Sequence, residues 1–80
     1  MKRSREEILA QILNTCQEGA SKTRVVYQAN LNFKTVNFYL ETLIGNNLLE
    51  VRTGKNVLYE TTQKGANLLE SINRISENLS

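Results

Sequence analysis

The stretch QANLNFKTVNFYLETLI, residues 28–44, decides how the rest of the chain is read. From Phe33 onward, Val36, Leu40, Leu43 and Ile44 fall on one face at helical spacing. The opposite face carries Lys34, Thr35, Phe38, Glu41 and Thr42. A face made only for water would be richer in Lys and Glu and would not show a phenylalanine. Just ahead, Asn30, Leu31 and Asn32 form a tight break. Asn30 tolerates left-handed backbone angles, Leu31 can plug a core, and Asn32 can cap the helix that follows. Before that break, Ser21 caps a short helix over 22–29. Its Val25, Val26 and Ala29 face inward, and Lys22 and Arg24 lie in or near its first turn.

Working outward, Ser4 and Glu7 have the spacing of a capping box. Ile8, Leu9, Ile12, Leu13 and Cys16 then form a helical stripe, which predicts a first helix over 4–17 stopped by Gly19. The third helix, 33–46, ends in Gly45, Asn46 and Asn47. There the period changes from helical to alternating. LLEVR (48–52) and VLYET (57–61) are short, rich in strand formers, and separated by TGKN, which predicts a β-hairpin with Gly54, Lys55 and Asn56 at its tip. Thr62 caps a last helix over 63–78. The order is helix, helix, turn, helix, hairpin, helix, with no repeat and no linker long enough to divide it. The expected fold is α+β, mostly α, in one domain spanning 1–80.

Composition excludes more chemistry than it suggests. The 80 residues include no His, no Asp, no Trp, no Pro and one Cys. Without His or Asp there is no Ser-His-Asp or Cys-His arrangement, and a zinc site would have to be built from Cys16 and glutamates. The sequence therefore predicts a non-enzymatic protein with no cofactor and no metal. Apolar runs of at most three residues argue against a membrane span or a signal peptide, so a cytoplasmic location is expected. Cys16 lies in the apolar stripe and reads as a small buried hydrophobe. The net charge of +2 allows a polyanionic partner without requiring one.

Two helices joined by a tight turn and followed by a basic-tipped hairpin outline a helix-turn-helix with a wing: a three-helix core, a β-hairpin wing and a C-terminal helix. In that arrangement the second helix of the pair presents its N-terminal half to base edges in the DNA major groove. The residue types suit such a role. Lys34 reaches a phosphate or guanine, Thr35 and Asn37 hydrogen-bond to phosphates or bases, and Phe38 contacts a thymine methyl. Arg52 and Lys55 on the hairpin reach phosphates, and Lys22 and Arg24 clamp the backbone at the N-terminus of the second helix. Lys2, Arg3 and Arg5 add a basic arm ahead of the first helix. The expected partner is double-stranded DNA.

The segments GASKTRVVYQANLNFKTVNFYLETLIGNNLLEV and YETTQKGANLLESI resemble the archaeal winged helix-turn-helix family of predicted transcriptional regulators. The resemblance runs from about Lys2 to Leu79. It implies a winged-helix fold, DNA binding through the third helix and the wing, and a homodimer. It carries over to Lys34, Thr35, Asn37 and Phe38 on the third helix and to Arg52 and Lys55 on the wing. The third helix of this chain has one basic residue, Lys34.

Other readings of the same residues stay open. The Lys34–Phe38 face is also compatible with a solvated surface or a protein-docking surface, and the wing charges with protection of a strand edge. A chromatin-type binder without sequence preference is a further alternative. Lys64 and Arg74 read as solvated surface. In the last helix Leu68, Ile72, Ile75 and Leu79 form a narrow apolar seam, while Leu69 and Ala66 sit to one side and can close the chain's own core. The seam predicts a homodimer through this helix.

Overall fold

The computed structural model describes the backbone of residues 4–79 and the side chains through residue 75. Four helices and one hairpin follow in the expected order: α1 (Arg5–Thr15), α2 (Lys22–Ala29), α3 (Phe33–Gly45), β1 (Leu49–Arg52), β2 (Leu58–Thr61) and α4 (Gln63–Leu79). Helix α1 is shorter than expected at both ends, and Arg5 is its first residue rather than part of a preceding arm. Lys2 and Arg3 lie outside the described residues.

The helix starts are set by side chains visible in the sequence. Ser4, Ser21 and Asn32 accept hydrogen bonds from the backbone N–H of Glu7, Arg24 and Thr35, and Thr62 from that of Gly65. Each bond satisfies a donor that the helix itself leaves without a partner. In the Ser4 box, the return contact runs from the Ser4 hydroxyl to the Glu7 carboxylate at 3.3 Å.

Helices α2 and α3 stop in the same way. Asn30 (φ 55°) and Asn47 (φ 61°) take left-handed backbone angles. After each, a leucine N–H reaches back five residues, Leu31 to the Val26 carbonyl and Leu48 to the Leu43 carbonyl. This is the Schellman ending with asparagine in place of glycine. Both leucines then pack against the core.

The core is where the periodicities placed it. Ile12, Leu13 and Cys16 from α1, Val25 and Ala29 from α2, Val36, Leu40 and Leu43 from α3, Leu49 from β1 and Leu69 from α4 are buried together. Among the described residues the core holds no buried polar or charged side chain.

Strands β1 and β2 pair antiparallel, Leu49 with Thr61 through Arg52 with Leu58. Val57 therefore falls in the loop and is exposed, whereas the sequence pattern put it in the strand. One further pairing was not legible: Ala20, between α1 and α2, exchanges both backbone hydrogen bonds with Tyr59 at 2.9 and 2.8 Å. Strand β2 is thus held on both edges. The Thr61 hydroxyl and N–H donate to the carbonyls of Leu13 and Cys16, closing the C-terminal end of α1.

Candidate nucleic-acid interface

The C-terminal end of α3 is fastened to the N-terminal end of α4. The Thr62 N–H donates to the Leu48 carbonyl at 3.0 Å, the Thr62 hydroxyl to that of Asn47 at 2.7 Å, and Lys64 Nζ to that of Asn46 at 3.0 Å. Lys64 also brings a positive charge to the negative end of the α3 dipole, so it is more than the solvated surface the sequence suggested. Arg74 pairs with Glu70 one turn away on α4 at the surface. With its C-terminus held by α4 and its inner face by the core, α3 shows its outer face and first turns to solvent.

On that outer face Phe38 is 61% exposed, and Lys34 and Glu41 are exposed beside it. The face is therefore bare in the monomer. The Phe38 ring is not loose on it. It meets the half-buried Tyr39 edge-on, with ring centroids 5.6 Å apart and planes at 77°. Such pairs contribute about 0.5–1.5 kcal/mol beyond their buried area. Thr42 spends its hydroxyl within the helix, donating to the Phe38 carbonyl at 2.8 Å. Thr35 and Asn37 are half-buried flanks rather than central members of the face. The first turn of α3 holds no acidic residue, so the positive end of its dipole is left with Lys34 as its local charge.

Helix α3 packs against β1. From its buried start at Leu49 the strand runs outward to the exposed Arg52, and the loop beyond it carries Gly54, Lys55 and Asn56, all exposed. Arg52 is not an isolated cation. Its Nε lies 2.5 Å from Glu60 on β2, whose side chain is largely covered. Glu60 also pairs directly with Glu50 across the hairpin. By pairing with Glu60, Arg52 offsets the charge of one of two facing carboxylates that would otherwise repel. Lys55, at the tip, has no such role in the hairpin ladder.

The two α2 cations differ as well. Lys22 is half-buried in the first turn. Arg24 lines an open polar depression with Asn14, Thr15, Gln17, Glu18, Gly19 and Gln28. It supplies the positive charge that the last turn of α1 lacks, and its charge is felt at the Cys16 thiol.

Two exposed aromatics were not singled out from the sequence. Phe33, the first residue of α3, is 51% exposed, and Tyr27 near the end of α2 is 82% exposed. The signal for Tyr27 was present: two residues from Val25 on a helix is about 200° of rotation, which turns it away from the core.

Along α4, Leu69 is buried and Ala66 half-buried, closing the core as expected. Leu68 packs partly against the same core, Ile72 is half-buried, and Ile75 is 58% exposed. The side chain of Leu79 lies outside those described.

A recognition-type helix with an open outer face, a preceding helix joined to it by a three-residue break, and a hairpin packed at its side make up one architecture. The family model that matches the chain, over residues 2–80, is described as winged helix-turn-helix. The chain belongs to that family. This winged helix is 34% identical over 77 residues to the uncharacterised protein MJ0287 of Methanocaldococcus jannaschii, covering 95% of the present chain and 76% of that one. It is also similar to the crystal structure of Sso10a-2, described as a DNA-binding protein from Sulfolobus solfataricus. The TM-score is 0.82 and the identity 34%, over 96% of this chain and 85% of that one. The transcriptional regulator BldR from the same organism superposes with a TM-score of 0.82 at 23% identity, over 91% of this winged helix and 56% of BldR, which supports the fold alone. The expected resemblance to archaeal winged-helix proteins is borne out. Among the described residues no helix is long and apolar enough to cross a membrane.

Proposed function

We propose that this chain, as one winged-helix domain, binds double-stranded DNA and serves in transcriptional regulation without catalysing a reaction. The observation that carries this reading is the open Lys34–Phe38 face of α3 in a winged helix 34% identical to a protein described as DNA-binding. Helix α3 enters the major groove with Lys34, Phe38 and the flanking Thr35 and Asn37 toward base edges and phosphates. Lys55 at the wing tip meets the phosphate backbone, Arg52 shares itself between Glu60 and that backbone, and Lys22 supports the first turn of α2 on the opposite strand. Arg24 makes a weaker contribution, because its charge already serves the end of α1.

The partner set includes a second copy of the chain. Ile72 and Ile75 on α4 supply the seam for a homodimer, whose geometry fixes the spacing of two half-sites. The absence of His and Asp from the sequence supports a non-catalytic role, and a cytoplasmic location fits a DNA partner.

Fluorescence anisotropy with random and selected duplexes at two salt concentrations tests the reading. With about four to six phosphate contacts per dimer, the log–log slope of affinity against salt is about −4 to −5. No duplex binding at low salt would overturn it. The exposed Phe38 also favours a second reading, a protein-docking module with that ring as its anchor. Under that reading duplex binding is missing.

A further inference from the structure

The outer face of α3 offers a short set of groups to a groove. Thr42 has its hydroxyl bound to the Phe38 carbonyl, and Asn32 has its side-chain oxygen bound to the Thr35 N–H. What remains outward along the first three turns is the Lys34 ammonium, the Phe38 ring one turn later, and the Glu41 carboxylate after that. Lys34 and Phe38 are four residues apart and Phe38 and Glu41 three apart, so the three stand in one row. A second phenylalanine, Phe33, is exposed at the start of the helix.

The centre of this row is apolar, and that limits what it can read. In the major groove the one apolar group any base pair presents is the thymine C5 methyl. A guanine–cytosine pair offers acceptors and an amino donor but nothing that gains from covering an exposed ring. Lys34, the one cation of α3, can meet guanine as well as phosphate, so any preference for thymine has to come from the ring. Lys34 finds acceptors and Glu41 an amino group on either kind of pair, so these two do not choose between them; the methyl that only an adenine–thymine pair adds, opposite Phe38, does. The edge contact with Tyr39 restrains one side of the ring before DNA arrives, which lowers the side-chain freedom lost on binding.

We infer that the interface selects thymine-bearing duplexes by covering a thymine C5 methyl with the Phe38 ring. The inference rests on the DNA-binding reading above and adds the base class to it. The recognised feature is a methyl group, so it is absent from the same duplex made with uracil, which keeps the pairing and every hydrogen-bonding group.

The test compares one A·T-rich duplex with its uracil-substituted twin, by anisotropy at low salt, for the unaltered protein and for Phe38→Ala. Covering one methyl is worth about three- to fivefold in affinity. The unaltered protein is expected to bind the thymine duplex tighter by about that factor for each methyl covered. In Phe38→Ala the thymine and uracil duplexes should bind alike, with binding of both retained through the phosphate contacts. Losing the edge contact with Tyr39 should lower the melting midpoint of Phe38→Ala by a few degrees while leaving it folded under the binding conditions, and Phe38→Leu should keep part of the thymine preference. Equal binding of the two duplexes by the unaltered protein overturns the inference, as does a preference that survives in Phe38→Ala. If neither duplex binds at low salt, the DNA-binding reading itself fails and this inference fails with it.

Discussion

Gly65, in the first turn of α4, lies so close to the Leu48 carbonyl that a methyl group there would stand 2.2 Å from the oxygen and 2.8 Å from Thr61 Cγ2. This close approach is what lets Thr62 and Lys64 reach the carbonyls at the end of α3. Gly65→Ala must therefore push α4 away from the corner that sets the angle of α3. Overpacking of this kind costs about 1–3 kcal/mol, and with backbone as the obstacle the upper end is expected. Gly54→Ala is the control, since nothing lies within 4 Å of a methyl there. Thermal melts should show a drop of many degrees for the first and almost none for the second.

The asparagine at the end of α3 makes a second prediction. Asn47 holds φ at 61°, a region where a residue with a β-carbon and no compensating side chain is disfavoured by about 1–2 kcal/mol. Asn47→Ala should lower stability by about that amount in denaturant melts. Asn47→Gly should be close to neutral, because glycine adopts these angles without a steric penalty. An alanine variant as stable as the parent would show that the Schellman ending does not depend on the residue type.

These two sites mark what could and could not be read from the residues. The four N-caps, the left-handed Asn30 and the core stripes were legible, because each depends on local hydrogen bonding or on a single period, while the same backbone angle at Asn47 was not singled out. The bareness of Phe38 was also legible, since it follows from the helical wheel of α3 alone. What escaped depends on chain segments far apart in sequence. The pairing of Ala20 with Tyr59, the packing of Gly65 on Leu48 and the tie from Lys64 to Asn46 leave no periodic trace. The same holds for function. Arg52 and Arg24 were both read as cations facing phosphate, whereas the fold pairs Arg52 with Glu60 and sets the exposed Arg24 in the depression beside the end of α1.

Cys16 gives a pH prediction. Burial pushes its thiol up from 9.0 to about 11, with the nearby Arg24 charge opposing the shift. In the unfolded chain the thiol ionises near its ordinary value, while the native chain keeps its proton until the higher pH. Native stability is thus fully supported by this group below pH 9 and declines as pH rises from about 9 to 11. The loss over that interval amounts to about 2–3 kcal/mol. The stability difference between the parent and Cys16→Ala should shrink by about that much across the window, followed by urea melts at several pH values. Thiol reagents at neutral pH should react slowly with the native protein and readily with the unfolded one.

The Arg52–Glu60 pair predicts a gain of affinity from removal of an acid. At the surface such a pair adds about 1 kcal/mol or less to stability, so Glu60→Gln should leave the melt nearly unchanged. It also relieves the repulsion between Glu60 and Glu50 across the hairpin. With Arg52 released toward phosphate, duplex affinity should rise by several-fold and the salt slope should steepen by up to about one per subunit. An unchanged slope would mean that the wing does not approach the DNA backbone.

Ile75 separates the chain's own packing from its assembly. Leu69 belongs to the buried core and Leu68 packs partly against it, but Ile75 lies two turns further on and is exposed. Seventeen residues of helix extend about 25 Å, and the core reaches α4 as far as Leu69. A glutamate at position 75 would therefore be solvated in a single chain but buried and unpaired in a dimer that uses the seam. Sedimentation at tens of micromolar should show a dimer for the parent and a monomer for Ile75→Glu, with little change in the far-ultraviolet signal. Duplex affinity should fall together with the dimer, because two half-sites bound jointly gain from effective concentration. A parent that sediments as a monomer, or a variant with unchanged mass, removes the seam from the assembly and leaves DNA recognition to single copies.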